Sequence, residues 1–470
     1  MIEPLKFTVE LTSDRFEGTI VDLSPSVTDI DIYENLEVPF LTARMAILDE
    51  MNFYERTDIL GGERIKIKLK SLKGTILENP PPLKEVVKDF YISQVDTTIR
   101  RQDQRGQVVV FHLIEDVGYE SVLQNINKLY KGKCSNIIKK ILSNYLGKEI
   151  ISEDNDIQQI KTIIPNLSPL NASIWLKNRA TTSDGYPFYL YSTLVDKELY
   201  FQDLGTLLSK PPVNGNEETA PSVKLSAAAM NSIDNIHAYM TMSNYEHKNI
   251  ENMLDLIGRG LIGGNHDFIN SSGTNISVSQ NVNFDIYLDL ISKDSFRGLF
   301  NKDQKNALYN THYNYNGTPF NKLKSRTITQ FGGSNSQRTT KSKVYDLSYS
   351  EGLDKAAYKS IAISKAMSGL AAKSPLTITM NGLDFLDGLH HNTIGRKIVL
   401  DFLSTDFLAR DMEHLRDSKF SGEYLIHSAK HIIRRERYDV KLLTLRLSNR
   451  TIKEVSGTPP PNPTQGAGAI

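Results

Sequence analysis

Two pairs of neighbouring carboxylates come closest to a catalytic pattern in this sequence. They are Glu115-Asp116 and Glu153-Asp154. Glycoside hydrolysis uses two carboxyl groups held at a fixed separation across the scissile bond. Nothing in the sequence fixes such a separation, and scattered acidic residues are typical of any protein surface. The carboxylates therefore give no positive support for catalysis.

Histidine and cysteine are the remaining candidates for chemistry. His390-His391 is the only adjacent histidine pair, and Asp387 and Gly388 precede it, so a solvated turn is favoured over metal binding. Cys134 is the single cysteine, which excludes an internal disulfide framework and a cysteine-bound metal cluster. The sequence has no GxxxxGK(S/T) phosphate loop, no HExxH, no GxSxG and no CxxC. We predict no catalytic, cofactor-binding or metal-binding residues, no cofactor and no enzyme activity.

Composition limits the class of protein further. The chain has 470 residues, with 55 Lys plus Arg and 55 Asp plus Glu, so its formal net charge is zero. A dedicated nucleic-acid-binding chain would carry a basic excess, although a wall along which nucleic acid slides without tight binding stays compatible. The first residues, MIEPLKFTVELT, alternate like a strand, and no apolar run reaches the length of a membrane span. We expect a soluble chain made in a reducing compartment, with three or four domains of about 150 residues each.

An internal repeat is the feature that must organise the elements. Its first copy is GERIKIKL (Gly62–Leu69) followed after a loop by Phe90–Leu113, and its second copy is GRKIVLDF (Gly395–Phe402) followed by Tyr424–Leu447. The later segments align without a gap, matching Phe90 with Tyr424, Ile92 with Ile426, Ile99 with Ile433, Val108 with Leu442, Phe111 with Leu445 and Leu113 with Leu447. A period of about three hundred residues excludes a solenoid. It predicts one β module that is used twice, with other material between.

Basic residues recur at matching places in this module. Arg64, Lys66 and Lys68 alternate with apolar residues, which predicts a strand with one basic face. Arg100-Arg101 and Arg434-Arg435 stand at the ends of predicted hairpin strands. A solvated basic rim is the plainer interpretation, and a contact to a neighbouring subunit is the sharper one. The candidate set for a lumen or a subunit interface is Arg64, Lys66, Lys68, Arg100, Arg101, Arg434 and Arg435.

The chain divides into a β region, an intervening region and a second β region. Short strands between Pro and Gly breakers suit a barrel or sandwich in residues 1–116. Helices are predicted with Ser135 as N-cap and Gly147 as stop, over Ala172–Ala180 with the single Trp175, and over Glu351–Ala372. We predict the boundaries 1–116 (first β domain), 117–225 (α/β intervening domain), 226–250 (a strand contributed to the second β domain), 251–343 (continued intervening domain with polar loops), 344–450 (second β domain with a leading helix) and 451–470 (a flexible Pro/Gly-rich tail).

Several segments are open to two interpretations. Trp175 is either core or a ligand platform, and core is favoured. The crowded Tyr and Phe residues of Gly185–Phe201 resemble a base-stacking platform, but cross-strand packing in a hairpin is the commoner cause. We predict single strands within Asp234–Tyr245 and Asn283–Ile291, a short helix in Asn249–Gly258 and a surface loop over Gly263–Ser279.

The order of these parts resembles a known family. The chain is similar to the central hub protein of the baseplate of contractile-tailed, T-even-like bacteriophages. The resemblance rests on DIYENLEVPFLTARMAILDE (Asp31–Glu50), ILGGERIKIKL (Ile59–Leu69), SIWLKNRA (Ser173–Ala180), GYPFYLY (Gly185–Tyr191), EGLDKAAYKSIAISKAM (Glu351–Met367) and LTITMNG (Leu376–Gly382). It covers most of the chain, but the polar segment Lys302–Ser342 and the tail after Ser456 match nothing in the family pattern.

The resemblance implies an α+β, mainly β fold, with two tail-tube-like β-barrels joined by an α/β intervening region. It implies a homotrimeric ring at the centre of the virion's baseplate that adapts a threefold spike to a sixfold tail tube, because each subunit presents similar barrels twice. The implied partners are the chain itself, the central spike, the tail tube or its initiator, baseplate wedge proteins, and genome DNA passing through without sequence-specific binding. The alternatives are a tail-associated receptor- or glycan-binding protein, with Tyr186 and Tyr189 exposed, and a cell-wall hydrolase.

Overall fold

The computed structural model describes most of the first 213 residues and a smaller share of the remainder. The described residues are 5–16, 19–50, 53–71, 85–100, 106–157, 159–213, 223–225, 241–247, 264–269, 277–282, 314–315, 318–319, 326–331, 360–364, 367–368, 374–382, 385–386, 393–402, 420–435 and 437–446. Arg101, His390-His391, the predicted elements Asn249–Gly258 and Asn283–Ile291, and the tail after Ser456 lie outside them.

The fold is mainly β, as the alternation of apolar and polar residues predicts. The strands are β1 (Leu5–Thr12), β2 (Val21–Asp22), β3 (Val27–Asn35), β4 (Thr42–Asp49), β5 (Arg64–Ser71), β6 (Glu85–Arg100), β7 (Gln107–Glu115), β8 (Leu129–Lys133), β9 (Ile150–Ser152), β10 (Gln159–Ile163), β11 (Phe188–Tyr191), β12 (Leu199–Asp203), β13 (Val223–Leu225), β14 (Thr241–His247), β15 (Gly264–Ile269), β16 (Ser277–Val282), β17 (Asn314–Tyr315), β18 (Thr318–Pro319), β19 (Arg326–Phe331), β20 (Ser374–Asn381), β21 (Lys397–Asp401), β22 (Gly422–Arg434) and β23 (Tyr438–Arg446). The α-helices are α1 (Phe53–Thr57), α2 (Asp116–Val122), α3 (Cys134–Leu146), α4 (Pro169–Lys177) and α5 (Leu204–Ser209).

Thirteen of the described strands form one large curled sheet. Their order is β2-β1-β5-β6-β7-β4-β3-β22-β21-β13-β14-β20-β23, and β23 also pairs with β22. The pairings from β22 through β21, β13, β14, β20 and β23 therefore return to β22 and form a closed cycle. All the pairs in the sheet are antiparallel except the two that β13 makes.

Two groups of five strands within this sheet have the same pairing order. We call β3-β4-β7-β6-β5 the first strand group and β14-β20-β23-β22-β21 the second strand group. Their β-bulges also match: β3 and β14 are bulged after Val27 and Met242, and β6 and β22 are bulged after Ile92 and Ile426. Bulges re-aim side chains at fixed points of a strand, so the two groups agree in register as well as in order.

Side-chain hydrogen bonds repeat at the first pair of bulges. The Thr28 hydroxyl donates to the Ala46 carbonyl at 3.1 Å. At the matching place the Ser243 hydroxyl donates to the Thr379 carbonyl, also at 3.1 Å. A short hydroxyl side chain at each bulge therefore satisfies the same carbonyl of the adjacent strand.

A glycine precedes the corresponding strand of each group, β5 in the first and β21 in the second. The Gly62 amide donates to the Ile92 carbonyl at 2.7 Å, and the Gly395 amide donates to the Ile426 carbonyl at 3.0 Å. The φ angles of these glycines are +86° and +72°, a region that residues with a Cβ rarely adopt. A Cβ at Gly395 would also lie 2.8 Å from the Tyr191 hydroxyl. The two glycines at which the sequence repeat begins thus serve one conformational need.

The ungapped repeat alignment is wrong in the second strand of each hairpin. Val95 lies opposite Phe111, and Ala429 lies opposite Leu442, so Phe111 corresponds to Leu442 and not to Leu445. The first hairpin carries an extra bulge after Val95, and more residues separate its two strands than in the second hairpin. Because successive strand residues point to opposite faces, a slip of three residues would reverse the faces.

The intervening region between the strand groups has its own apolar core. Ile137, Ile138, Ile141 and Leu142 of α3 are buried in it. The helix ends at Gly147, which is left-handed with φ 59°, as the sequence predicts. Ser135 is not the N-cap, however: Lys133 holds that position.

The structure differs from the sequence predictions at the cap of α3 and at the start of the second helix. The Ser135 hydroxyl donates to Asp156 Oδ1 at 2.6 Å, which occupies the side chain predicted to cap α3. The second helix spans Pro169–Lys177, a few residues earlier than predicted, because Pro169 opens it. Trp175 is half-buried against the core of this region, and the Arg179 guanidinium stacks 3.5 Å from the ring centroid.

Later predictions have mixed outcomes. The loop predicted over Gly263–Ser279 contains β15 and the start of β16, which pair with each other. Polar strands of this kind carry no apolar alternation, so the pattern missed them. Within the helix predicted over Glu351–Ala372, the described residues 360–364 and 367–368 are helical. No helix in the described part of the chain is long and apolar enough to cross a bilayer.

Candidate functional site: the junction between the strand groups

The two strand groups meet where β3 pairs with β22. The first residues of β22 pair with β21, and the later residues, from Ser428 to Arg434, pair antiparallel with Asn35 to Asp29. β22 pairs with β23 along its other side. A single long strand therefore belongs to both groups, and we call its pairing with β3 the junction.

The outer face of the junction carries a neutralised charge. Lys430 Nζ lies 2.8 Å from Asp31 Oδ2 and 5.4 Å from the centre of the Tyr33 ring. Burial lowers the pKa of Lys430, but its hydrogen bond and charge interaction with Asp31 outweigh burial and leave that pKa raised. A cross-strand ion pair thus helps to fix the register.

The core face of the junction contains a buried polar cluster. His431 is fully buried, its Nδ1 lies 2.8 Å from the Tyr438 hydroxyl, and its Nε2 lies 3.3 Å from Glu34 Oε2. The last two atoms make no hydrogen bond within the described part of the chain. The other Glu34 oxygen accepts from the backbone amide of Leu194, in the loop between β11 and β12. The cluster therefore joins both strand groups to the intervening region.

A second buried cluster ties the intervening region to the first strand group. Lys88 Nζ lies 2.9 Å from Glu115 Oε1 and donates to the Asp196 carbonyl at 2.7 Å. Glu115 Oε2 accepts from the Leu41 amide at 2.8 Å and from the Ser192 hydroxyl at 3.1 Å. Glu115, one of the acids that resembled a catalytic pair, is thus committed to three structural contacts.

The basic residues singled out from the sequence do not form one site. On the outer face of β5, Arg64 pairs with Asp89 at 3.1 Å and Lys68 pairs with Glu10 at 2.6 Å. Lys66 stands opposite the same two acids in the flanking strands. This face is therefore an alternating ladder of charges, not a bare basic strip.

The paired arginines lie at hairpin ends. Arg434 ends β22 and Arg435 follows it, and both are exposed; the Arg435 guanidinium donates to the Pro25 carbonyl before β3. Arg435 thus makes a contact within its own chain. Arg100 ends β6 opposite Gln107. A lumen or subunit-interface role for the seven basic residues stays a prediction.

Sequence reasoning missed the residues that hold the junction. Glu34 lies on the same strand face as Ile30 and Ile32, and all three are buried. An acid on the apolar face of a strand was the available signal, because a buried carboxylate requires partners. The partner His431 was not identifiable, since nothing in the sequence pairs two strands so far apart.

The two strand groups differ in the residue that follows Gly62 and Gly395, which is an acid in the first group and an arginine in the second. Glu63 follows Gly62 and is buried, and its carboxylate accepts from the amides of Leu60 and Gly61 and pairs with Arg15. At the matching position Arg396 follows Gly395 and makes no such pair with any described residue: its Nε and Nη2 are buried without a hydrogen-bond partner in this part of the chain. Burial lowers the pKa of Arg396.

Lys210 lies close to this arginine, and its titration is testable. Burial and repulsion from Arg396 lower the pKa of Lys210 to about 8, although the acids Glu153 and Asp196 oppose them. Only the neutral amine reacts with acylating reagents, so labelling of Lys210 should reach half its maximum near pH 8. The midpoint should rise in R396Q, which removes the repelling charge. Peptide mass spectrometry after brief acetylation measures both.

Lys68 is the internal comparison for this experiment, because its hydrogen bond to Glu10 raises its pKa. It should label at higher pH than Lys210 and should not respond to R396Q. A Lys210 midpoint at or above that of Lys68 contradicts the prediction.

The described residues contain no group of three or more His, Cys, Asp or Glu side chains that could hold a metal ion. The main features of this site are thus a strand shared between matching groups and two buried polar clusters. Arrangements of this kind fix the relative position of large elements.

Comparison with known proteins agrees with this fold. No family model matches the chain, and no curated protein matches its sequence. The tail protein from Neisseria meningitidis MC58 is similar in structure, with a TM-score of 0.51 and 11% identity over 94% of this chain and 96% of that one. The 43 kDa tail protein of prophage MuSo2 from Shewanella oneidensis gives a TM-score of 0.50 and 11% identity over 94% and 98%. At this identity the likeness shows a shared fold.

Proposed function

We propose that this chain is a non-enzymatic structural component of a contractile phage tail, namely the central hub of its baseplate. In this role three copies form a ring that joins a threefold spike to a sixfold tail tube and leaves a channel for the genome. The observation that carries the proposal is the pair of matching strand groups, joined edge to edge through β3 and β22. The fold shared with two tail proteins supports the setting.

The strand groups are well suited to act as two tail-tube-like barrels. The closed cycle of pairings through β22 and β14 supports a barrel. The matching order, bulges and hydrogen bonds of the first strand group favour a duplication of the same unit. A trimer can meet a sixfold partner only if each subunit presents a similar surface twice.

The outer face of the joined sheet is the candidate wall of the channel. At the junction Lys430 is paired in charge with Asp31, and the chain has no net charge. Phosphate contacts from unpaired cations would add affinity for DNA. A wall of neutralised pairs suits passage of the genome without sequence-specific binding.

The remaining parts of the proposal follow from the same role. The spike, the tail tube or its initiator and the wedge proteins would be the partners, and the centre of the baseplate in the virion would be the location. The boundaries 1–116 and 344–450 for the two barrels, with 226–250 adding a strand to the second, belong to this proposal. β14 lies in that last segment and pairs with β20.

The residues predicted for the two alternative functions lack the exposed rings or the free carboxylates that those functions require. Receptor or glycan binding through Tyr186 and Tyr189 requires exposed rings, but these residues are 7% and 3% exposed. Cell-wall hydrolysis requires free carboxylates, but Glu115 is bound to Lys88 and Asp154 pairs with Lys139 at 2.6 Å.

The test is the mass of the purified chain in solution, with particle images of the same sample. We expect three chains in a ring of pseudo-sixfold outline, alone or once a candidate spike protein is added. A chain that stays monomeric with every candidate spike and tube protein would overturn the ring and favour the receptor-binding alternative. Release of fragments from peptidoglycan by the purified chain would favour the hydrolase instead.

A further inference from the structure

Two cationic side chains, Lys210 and Arg396, lie close together where β21 begins. Lys210 Nζ donates to Gln202 Oε1 at 2.6 Å and to the Tyr191 hydroxyl at 3.4 Å, so both of these partners are neutral. The same hydroxyl lies against Gly395, the residue before Arg396, where a Cβ would come within 2.8 Å of it. Both cationic residues are half-buried. The cluster therefore lies near the surface and holds two positive charges.

Arg396 has one edge of its guanidinium unpaired. Its Nε and Nη2 are buried and have no hydrogen-bond partner in the described part of the chain. These two nitrogens form one side of the planar group, and their N–H bonds are directed as a fork that binds two oxygens of a carboxylate or a phosphate. Burying charged donors without an acceptor costs free energy. The edge is therefore suited to an anionic ligand.

The matching position in the first strand group shows how such a charge is satisfied elsewhere in the fold. There Glu63 follows Gly62, and its carboxylate pairs with Arg15 and accepts from two backbone amides. The second strand group has the opposite charge at this place, on Arg396. Its neighbour is a second cation, Lys210, and not an acid. The first group thus supplies its own counterion, whereas the second brings two cations together.

We propose that Arg396 and Lys210 bind a dianionic oxyanion of the phosphate type. Two of its oxygens accept from Nε and Nη2 of Arg396, and the Lys210 ammonium balances the remaining charge. A carboxylate or a phosphodiester of DNA carries a single charge and matches the two cations less well. The ligand is either free inorganic phosphate or the phosphate group of a small molecule. The site is separate from the structural role proposed above and does not depend on the ring.

The titration of Lys210 reports whether the site binds an anion. Burial and repulsion from Arg396 lower the pKa of Lys210 to about 8, against the weaker opposing effect of Glu153 and Asp196. Inorganic phosphate, compared with sodium chloride at equal ionic strength, should raise the midpoint of Lys210 acetylation in the full chain by about one pH unit or more, because an opposite charge nearby shifts a pKa by about 1–3. Lys68 already forms an ion pair and should not respond.

Two variants of Arg396 separate its charge from its geometry. R396Q removes both, so phosphate should bind at least about tenfold more weakly in calorimetry at neutral pH and should leave the Lys210 midpoint unmoved. R396K keeps the charge but not the fork. It should have the low Lys210 midpoint of the unaltered chain in chloride, yet bind phosphate several-fold more weakly. Circular dichroism checks that both variants are folded, and R396K carries the comparison if R396Q is not.

Sulfate separates the titration of the protein from that of the ligand, because it is a dianion throughout this pH range. Lys210 is charged below its pKa of about 8 and neutral above it. Sulfate affinity should therefore fall as the pH rises through about 8. A sulfate affinity that stays constant across this range would remove Lys210 from the site.

The remaining outcomes decide between a built site and chance binding. If phosphate moves Lys210 no more than Lys68, or if R396Q binds phosphate as tightly as the unaltered chain, the site is overturned and the binding is adventitious. A Lys210 midpoint that equals that of Lys68 already in chloride also overturns it, because the protein then supplies the anion itself. Glycerol phosphate distinguishes the two sources. A response equal to that of inorganic phosphate supports a phosphate group on a larger molecule, and a response to inorganic phosphate alone supports a site for the free ion.

Discussion

Glu115→Ala should lower the free energy of unfolding by about 3–5 kcal/mol, the loss typical when one partner of a buried ion pair is removed. The substitution strands the Lys88 ammonium, which is 7% exposed, and leaves the Leu41 amide and the Ser192 hydroxyl without their acceptor. Chemical unfolding followed by the fluorescence of Trp175 would measure the loss. That residue is a suitable reporter because it packs in the intervening region that Glu115 anchors.

Two further variants test whether the loss of stability comes from leaving a buried charge without its partner. The K88M/E115L double variant removes both charges, and it should recover part of the loss because no charge is left buried. Lys139→Ala removes the half-exposed pair with Asp154 and should cost no more than about 1 kcal/mol. A Glu115→Ala loss as small as that of Lys139→Ala would contradict the role assigned to the buried cluster.

Glu34→Ala should have the next largest effect, a loss of about 2–4 kcal/mol. It leaves the buried Leu194 amide without an acceptor and the buried His431 without its acidic neighbour. The effect should be local to the junction, so amide hydrogen exchange should accelerate at Leu194 and along β3 and β22. The inner strands β5 and β7 of the first strand group should be protected as before.

Glu34→Gln provides the matched comparison. Its amide oxygen still accepts a hydrogen bond while the charge is gone, so it should lose less stability than Glu34→Ala. Equal losses in the two variants would mean that the charge beside His431 matters more than the hydrogen bond to Leu194. No change in exchange at Leu194 in either variant would refute the link between the junction and the intervening region.

Local pattern predicted the strands because alternation is a local property. The basic and apolar faces of β5, the glycine before it and the hairpin of β6 and β7 were all identifiable from spacing alone. The helix stop at Gly147 was identifiable for the same reason. Polar strands such as β15 carry no such signal, so they were predicted as loop.

Strand register and the pairing of distant strands could not be predicted from the sequence. The gapless repeat failed in the second strand of the hairpin because an extra bulge and a longer connection add three residues to the first copy. The junction could not be derived, since the pairing of β3 with β22 depends on tertiary geometry. Ser135 resembled a helix cap, but Asp156 competes for its hydroxyl from elsewhere in the fold.

The shared strand has a consequence for how the protein is made. The junction joins Asp29 to Arg434, so β3 is synthesised long before the strand that covers it. At about 5–20 residues per second, the wait on the ribosome is on the order of 20–80 seconds. During that time the edge of β3 that pairs with β22 is uncovered, and Glu34 lacks its neighbour His431. Pairing between strands so distant in sequence slows folding, and until it forms the unpaired strand edge can associate with other chains. Production of this protein should therefore depend on chaperone capacity more than on the stability of the finished fold.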